Sequence, residues 1–172
     1  MGGVDDYLES LSELHVAITH HLDWQKTIHH ALLLDQPADS ADLAVDAEHR
    51  CRFGRWYDGE VPDPLRAMVG FGELGAHHTA LHAAARTLLR RRQAGQEFDR
   101  SLYAKFVDCV LEFNRHAQRL HVEVLTALVL RDPLTGALNR GGMRKQLGAE
   151  WARFERFGLP CAVALLDLDR FK

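Results

Sequence analysis

His78 and His82, in the run His78-Thr-Ala-Leu-His82, stand four residues apart and would share one face of a helix. Two imidazoles at that spacing can reach one metal ion, although packing in a core accounts for such a pair as well. A third histidine, His21, falls in the middle of a mostly aliphatic helical stripe. A buried imidazole needs partners for its ring nitrogens, and three in one core are hard to satisfy without a common ligand. Cys51, between these segments in the chain, can add a thiolate. Three neutral imidazoles and one thiolate make a tetrahedral nitrogen and sulfur set suited to zinc.

Other residues of the same types have plainer readings. His20 and His77 are each one residue, about 100°, off the inward stripe and are expected at the surface or beside the site. His29, His30, His49, His116 and His121 are expected to face solvent or an interface. Trp24 and Trp56 are expected as core aromatics that wall the site. Cys109, next to an inward position, reads as an inert packed thiol, and three widely spaced cysteines in all imply no disulfide framework.

The elements that must carry these residues are helical. From Val4 to about Leu34, the residues Leu11, Leu14, Ile18, His21, Gln25, Ile28 and Leu32 recur at steps of three and four. Pro37 marks a break, and a short helix is expected over Ser40–His49 with Ser40 as its N-cap. Cys51-Arg-Phe-Gly-Arg-Trp-Tyr57 follows, then a turn near Asp58–Pro64. A second long helix is predicted from Pro62–Pro64 to Arg92, with Phe71, Gly75, His78, His82, Ala85 and Leu89 inward. A third is predicted over Glu97–Arg131, where Tyr103, Phe106, Val110, Phe113, Ala117, Leu120, Val124 and Ala127 form a coiled-coil-like seam for the other helices or a second copy. Beyond Asp132–Pro133 a glycine-containing loop leads to a helix over Met143–Phe157. Cys161–Leu166 then reads as a buried strand.

Composition restricts the function. The 172 residues are 47% hydrophobic and 26% charged, ordinary values for a globular chain. A net charge of -3 argues against a general nucleic-acid binder. No apolar run approaches the ~20 residues of a membrane-spanning helix. Acidic Asp5, Asp6 and Glu9 do not suit a secretory leader, so a cytoplasmic protein is expected.

His21-Leu-Asp-Trp24, Cys51-Arg-Phe-Gly-Arg-Trp56 and His78-x-x-x-His82 together resemble the chemoreceptor zinc-binding domain (CZB) over residues 1–128. The resemblance implies an antiparallel four-helix bundle with Zn2+ on His21, Cys51, His78 and His82. Asp132-Pro-Leu-Thr-Gly-Ala-Leu-Asn-Arg140 and Asp167-Leu-Asp-Arg-Phe-Lys172 resemble the opening of the GGDEF domain of diguanylate cyclases, over residues 129–172. That resemblance implies an incomplete α/β segment, with Asp167 and Leu168 toward Mg2+ and Phe171 and Lys172 near the GTP triphosphate in an intact cyclase. The GGDEF signature itself does not occur in these residues, so they should be inactive alone. Jointly, the two resemblances imply a homodimeric zinc sensor that acts through its C-terminal helix on cyclic di-GMP synthesis. A metal-free dimerisation bundle and a hemerythrin-like di-iron bundle are the alternatives; the second wants converging carboxylates, which Cys51 argues against.

Overall fold

The computed structural model describes residues 4–34, 36–59, 61–167 and 169. Among these residues there are seven α-helices and one 3-10 turn, not the four helices expected. They are α1 (Val4–Leu33), the 3-10 turn (Ser40–Leu43), α2 (Ala47–Arg50), α3 (Arg52–Asp58), α4 (Asp63–Arg66), α5 (Val69–Gln93), α6 (Arg100–Val129) and α7 (Arg140–Phe157). The chain divides into two compact units, Met1–Val129 and Leu130–Lys172.

In the first unit the periodic stripes form the core. Leu14, His21, Gln25, Ile28 and Leu32 of α1 are buried, with Leu11 and Ile18 partly so. All six inward positions of α5 are buried. On α6, Phe106, Phe113, Ala117, Leu120 and Val124 are buried inside this one chain, so the seam faces the unit's own core rather than a second copy. His15 meets His121, Gln25 meets Asn114 and His29 meets Tyr103, so α6 runs antiparallel to α1. It also runs antiparallel to α5, since Gly70 approaches Leu120 and Glu123 while Arg91 pairs with Asp99.

Local chemistry moves several boundaries. Asp39, not Ser40, caps the 3-10 turn, accepting the Ala41 amide at 2.9 Å. The expected Ser40–His49 helix is this turn followed by the separate α2. The second long helix is interrupted at Ala67–Met68, between α4 and α5. The third begins at Arg100 because the Asp99 carboxylate takes the Ser101 and Leu102 amides, both at 3.0 Å.

The second unit departs most from expectation. Cys161–Leu166 carries no regular secondary structure, and Leu165 and Leu166 are 97% and 91% exposed. No strand occurs among the described residues; the one isolated bridge joins Arg131 to Leu138. The incomplete α/β segment is therefore replaced by a helix and a run without regular secondary structure. A strand needs a neighbour for its amides and carbonyls, and no described segment supplies one. The Asp132–Arg140 motif forms a compact turn. Asp132 Oδ1 accepts the Leu134 and Thr135 amides and the Thr135 hydroxyl, at 2.9–3.1 Å. Asn139 caps α7 through the Gly142 amide at 3.0 Å, which starts that helix three residues before Met143.

Gly75 shows how tightly the first unit is packed. The Tyr57 ring lies across it, with its hydroxyl 3.3 Å from the Phe71 carbonyl, so a Cβ there would overlap the ring. Gly72, one turn earlier, meets nothing within 4 Å. Gly75→Ala should therefore cost about 1–3 kcal/mol in urea unfolding. Gly72→Ala should stabilise by about 0.5–1 kcal/mol, since it removes only glycine's helix penalty.

Candidate metal centre

The fold brings His21, Cys51, His78 and His82 together. Their candidate ligand atoms all lie within 4.8 Å of one another, the one such group of three or more among the described residues. His21 comes from the middle of α1, and His78 and His82 stand one turn apart on α5. Cys51 sits at the junction of α2 and α3, capping both. Its amide closes α2 on the Ala47 carbonyl, and its sulfur accepts the Gly54 amide at 3.1 Å. The junction needs glycine three residues on, because a Cβ at Gly54 would run into the Glu48 carbonyl oxygen. This explains the Cys-x-x-Gly spacing: the glycine lets α3 fold back tightly enough to present the sulfur.

The polar atoms of the cluster are incompletely satisfied. His21 Nε2 and His82 Nε2 are buried and have no hydrogen-bond partner. His78 Nε2 faces Cys51 Sγ at 3.3 Å. Leaving such atoms unpaired costs about 1–3 kcal/mol each. A tetrahedral ion with bonds near ~2.0–2.3 Å would span the set after small side-chain shifts. The donor set fits a metal of zinc's preferences, and no carboxylate belongs to it.

Burial also sets the protonation states. Desolvation lowers His21 to a pKa of about 4 and His82 to about 3, and drives His78 far below the ordinary imidazole value. All three rings are therefore neutral at pH 7, as metal ligation requires. Burial raises the Cys51 thiol above its ordinary value, so without a cation it keeps its proton.

Aromatic walls hold the rings. Trp24 stacks on His82 at 4.0 Å and donates Nε1–H to Asp42 at 2.8 Å. Phe113 stacks on His21 at 4.3 Å, and Phe53 contacts His78 at 4.5 Å. Trp56 lies one ring further out, edge-on to Phe53 and bonded to Glu13. Phe113 was legible in the sequence only as an inward position of the third long helix, and no local pattern directed Phe53 or Asp42 to the site.

The remaining histidines stay outside the cluster. His77 stacks on His116 at 3.9 Å, and His116 lies 3.8 Å from Glu73. His49 pairs with Asp58 at 2.6 Å, and His29 is bonded to the Tyr103 hydroxyl. Cys109 packs partly buried against the core. In the second unit, Asp167 is exposed in a segment without regular structure, while Leu168, Phe171 and Lys172 lie outside the described residues.

The three neutral rings make the metal-free protein acid-sensitive. The unfolded chain protonates them near pH 6.5, whereas the native state resists down to about pH 4 for His21 and about pH 3 for His82. Stability should thus be complete above about pH 6.5 and fall below it, by about 1.4 kcal/mol per pH unit for each ring. Urea midpoints measured with chelator at pH 7, 6 and 5 should drop steeply; a flat series would contradict the neutral, desolvated cluster.

No curated protein and no solved structure matched the chain. Residues 21–89 match the family model of the chemoreceptor zinc-binding domain, CZB. That span runs from His21 to Leu89 and holds all four clustered side chains, so the N-terminal part of the chain contains a CZB-like, potentially metal-binding helical domain.

Proposed function

We propose that the Met1–Val129 unit is a zinc sensor in which His21, Cys51, His78 and His82 hold one Zn2+. The observation that carries this reading is the convergence of three buried, neutral imidazoles with a thiol, two ring nitrogens having no partner. A plain dimerisation bundle would leave those atoms unsatisfied at a standing cost. A di-iron site would want carboxylates that the cluster lacks.

Purified protein should contain one zinc per chain. His78→Ala with His82→Ala should abolish it, whereas His20→Ala or His77→Ala should leave it intact. Zinc content unaffected by the double substitution would end the proposal. The competing proton should be that of Cys51, since burial has removed the imidazoles from competition near neutrality. Affinity should therefore rise about tenfold per pH unit from pH 6 to 8, for one proton released. Cys51→Ala should flatten that slope.

The sensor's output is proposed to be a diguanylate cyclase, on the strength of the GGDEF-like Asp132–Arg140 and Asp167–Lys172 segments. GTP and Mg2+ would bind in a complete cyclase domain. The homodimer such an enzyme needs would use the exposed α6 residues Leu111, Val122, Leu125 and Val129, because the inward seam is already filled. In a chain with the full cyclase domain, Cys51→Ala should change cyclic di-GMP output while helical content is preserved. Unchanged output at saturating and chelated zinc would separate sensing from this enzyme.

A further inference from the structure

Behind the metal cluster lies a pair of amides that the zinc reading does not use. Gln25, one turn after His21, is 5% exposed, and its Nε2 lies 3.4 Å from His21 Nδ1. The same Nε2 donates to Asn114 Oδ1 on α6 at 3.2 Å, and Asn114 Nδ2 donates back to Gln25 Oε1 at 3.2 Å. The result is a closed two-bond ring between α1 and α6, with His21 attached at one corner.

The two ends of a primary amide have the same shape and opposite hydrogen-bonding character. With Gln25 Nε2 toward the ring, His21 Nδ1 accepts and its proton sits on Nε2, the buried ring nitrogen that has no partner. A ring in that tautomer cannot ligate through Nε2. Turning both amides by 180° keeps both Gln25–Asn114 bonds, but presents Gln25 Oε1 to Nδ1. His21 then donates from Nδ1 and frees the Nε2 lone pair. Metal-bound histidines are commonly held by such a bond from the distal nitrogen.

We propose that Gln25 and Asn114 form a positioning pair that locks His21 in the metal-binding tautomer and records zinc occupancy as an amide orientation on α6. This rests on the reading of His21 as a zinc ligand. No net proton change is involved, since the ring is neutral in both states and only the site of its proton moves. The pair also supplies a route from the site to α6 that needs no backbone shift: filling the site selects one of two equally well-bonded arrangements.

The test is zinc competition titration of the whole chain, with imidazole and side-chain amide NMR as a second readout. Gln25→Leu should weaken zinc by about 10–100-fold, the usual loss when the group behind a ligand is removed. Because Gln25→Leu removes both bonds of the half-buried Asn114, whereas Gln25→Glu keeps the one that Asn114 Nδ2 donates, Gln25→Glu is the decisive variant. Its carboxylate accepts the Nδ1 proton in either orientation, so zinc should bind at least as tightly as in the wild type. In the wild type, zinc should move the His21 proton signal from Nε2 to Nδ1 and shift the Asn114 side-chain amide. If the wild type binds zinc while Gln25→Glu is as weak as Gln25→Leu, or the Asn114 signal does not respond, the positioning role is overturned and the metal site stands. If the wild type binds no zinc at this cluster, both fall together.

Discussion

Three imidazoles in an apolar core must all remain neutral, and much of the first unit follows from that requirement. Desolvation forbids the charged forms, so each ring has one nitrogen that donates and one that must accept. His21 Nε2 and His82 Nε2 have no exposed surface, so bulk water does not reach them. The aromatic stacking of Trp24 and Phe113 fixes the planes of His82 and His21 but satisfies no lone pair. The donor set fits a shared cation, which would meet the need that the walls cannot. On the zinc reading, the packing of α1 against α5 would depend on whether the site is filled, because an empty site strands polar atoms of both helices.

The four candidate ligands are held with unequal firmness. His21, His78 and His82 ride helices of 30 and 25 residues whose inward faces are packed along their length. Cys51 joins helices of 4 and 7 residues, held by capping bonds and by the close approach at Gly54. A cleft of about 340 Å3, lined by His20, Trp24, Asp42 and Arg52 among others, opens on the cysteine side. Three ligands are therefore fixed by the core and one by a short junction.

Periodicity made the long helices and their inward faces legible, because burial of a stripe is dictated by spacing alone. It located His21, His78 and His82 on the core side before any contact was known. What it missed was set by local hydrogen bonding: Asp39 in place of Ser40 as a cap, the late start of α6 at Arg100 behind the Asp99 carboxylate, and the interruption at Ala67–Met68. Gln25 was visible only as a polar member of the stripe. Its significance depends on Asn114, 89 residues away, and no local pattern joins the two. The strand expected at Cys161–Leu166 failed for a different reason. An apolar run specifies burial, but strand formation also needs a partner ladder, which is a property of other segments.

The two motif families in this chain differ in a way that is physical rather than statistical. In Asp132–Arg140 the polar groups answer one another within the turn: Asp132 takes Thr135, Thr135 takes the Ala137 amide, and Asn139 takes Gly142 and gives to the Arg131 carbonyl. A sequence resemblance in such a segment follows from the turn itself, whatever activity lies beyond it. In the His21, Cys51, His78 and His82 set, local bonds leave the buried atoms His21 Nε2 and His82 Nε2 unanswered. Nothing about folding a helix requires those atoms to converge. A motif whose polar atoms are satisfied by its own backbone argues for a shape, whereas one that buries unsatisfied atoms around a common point argues for a ligand.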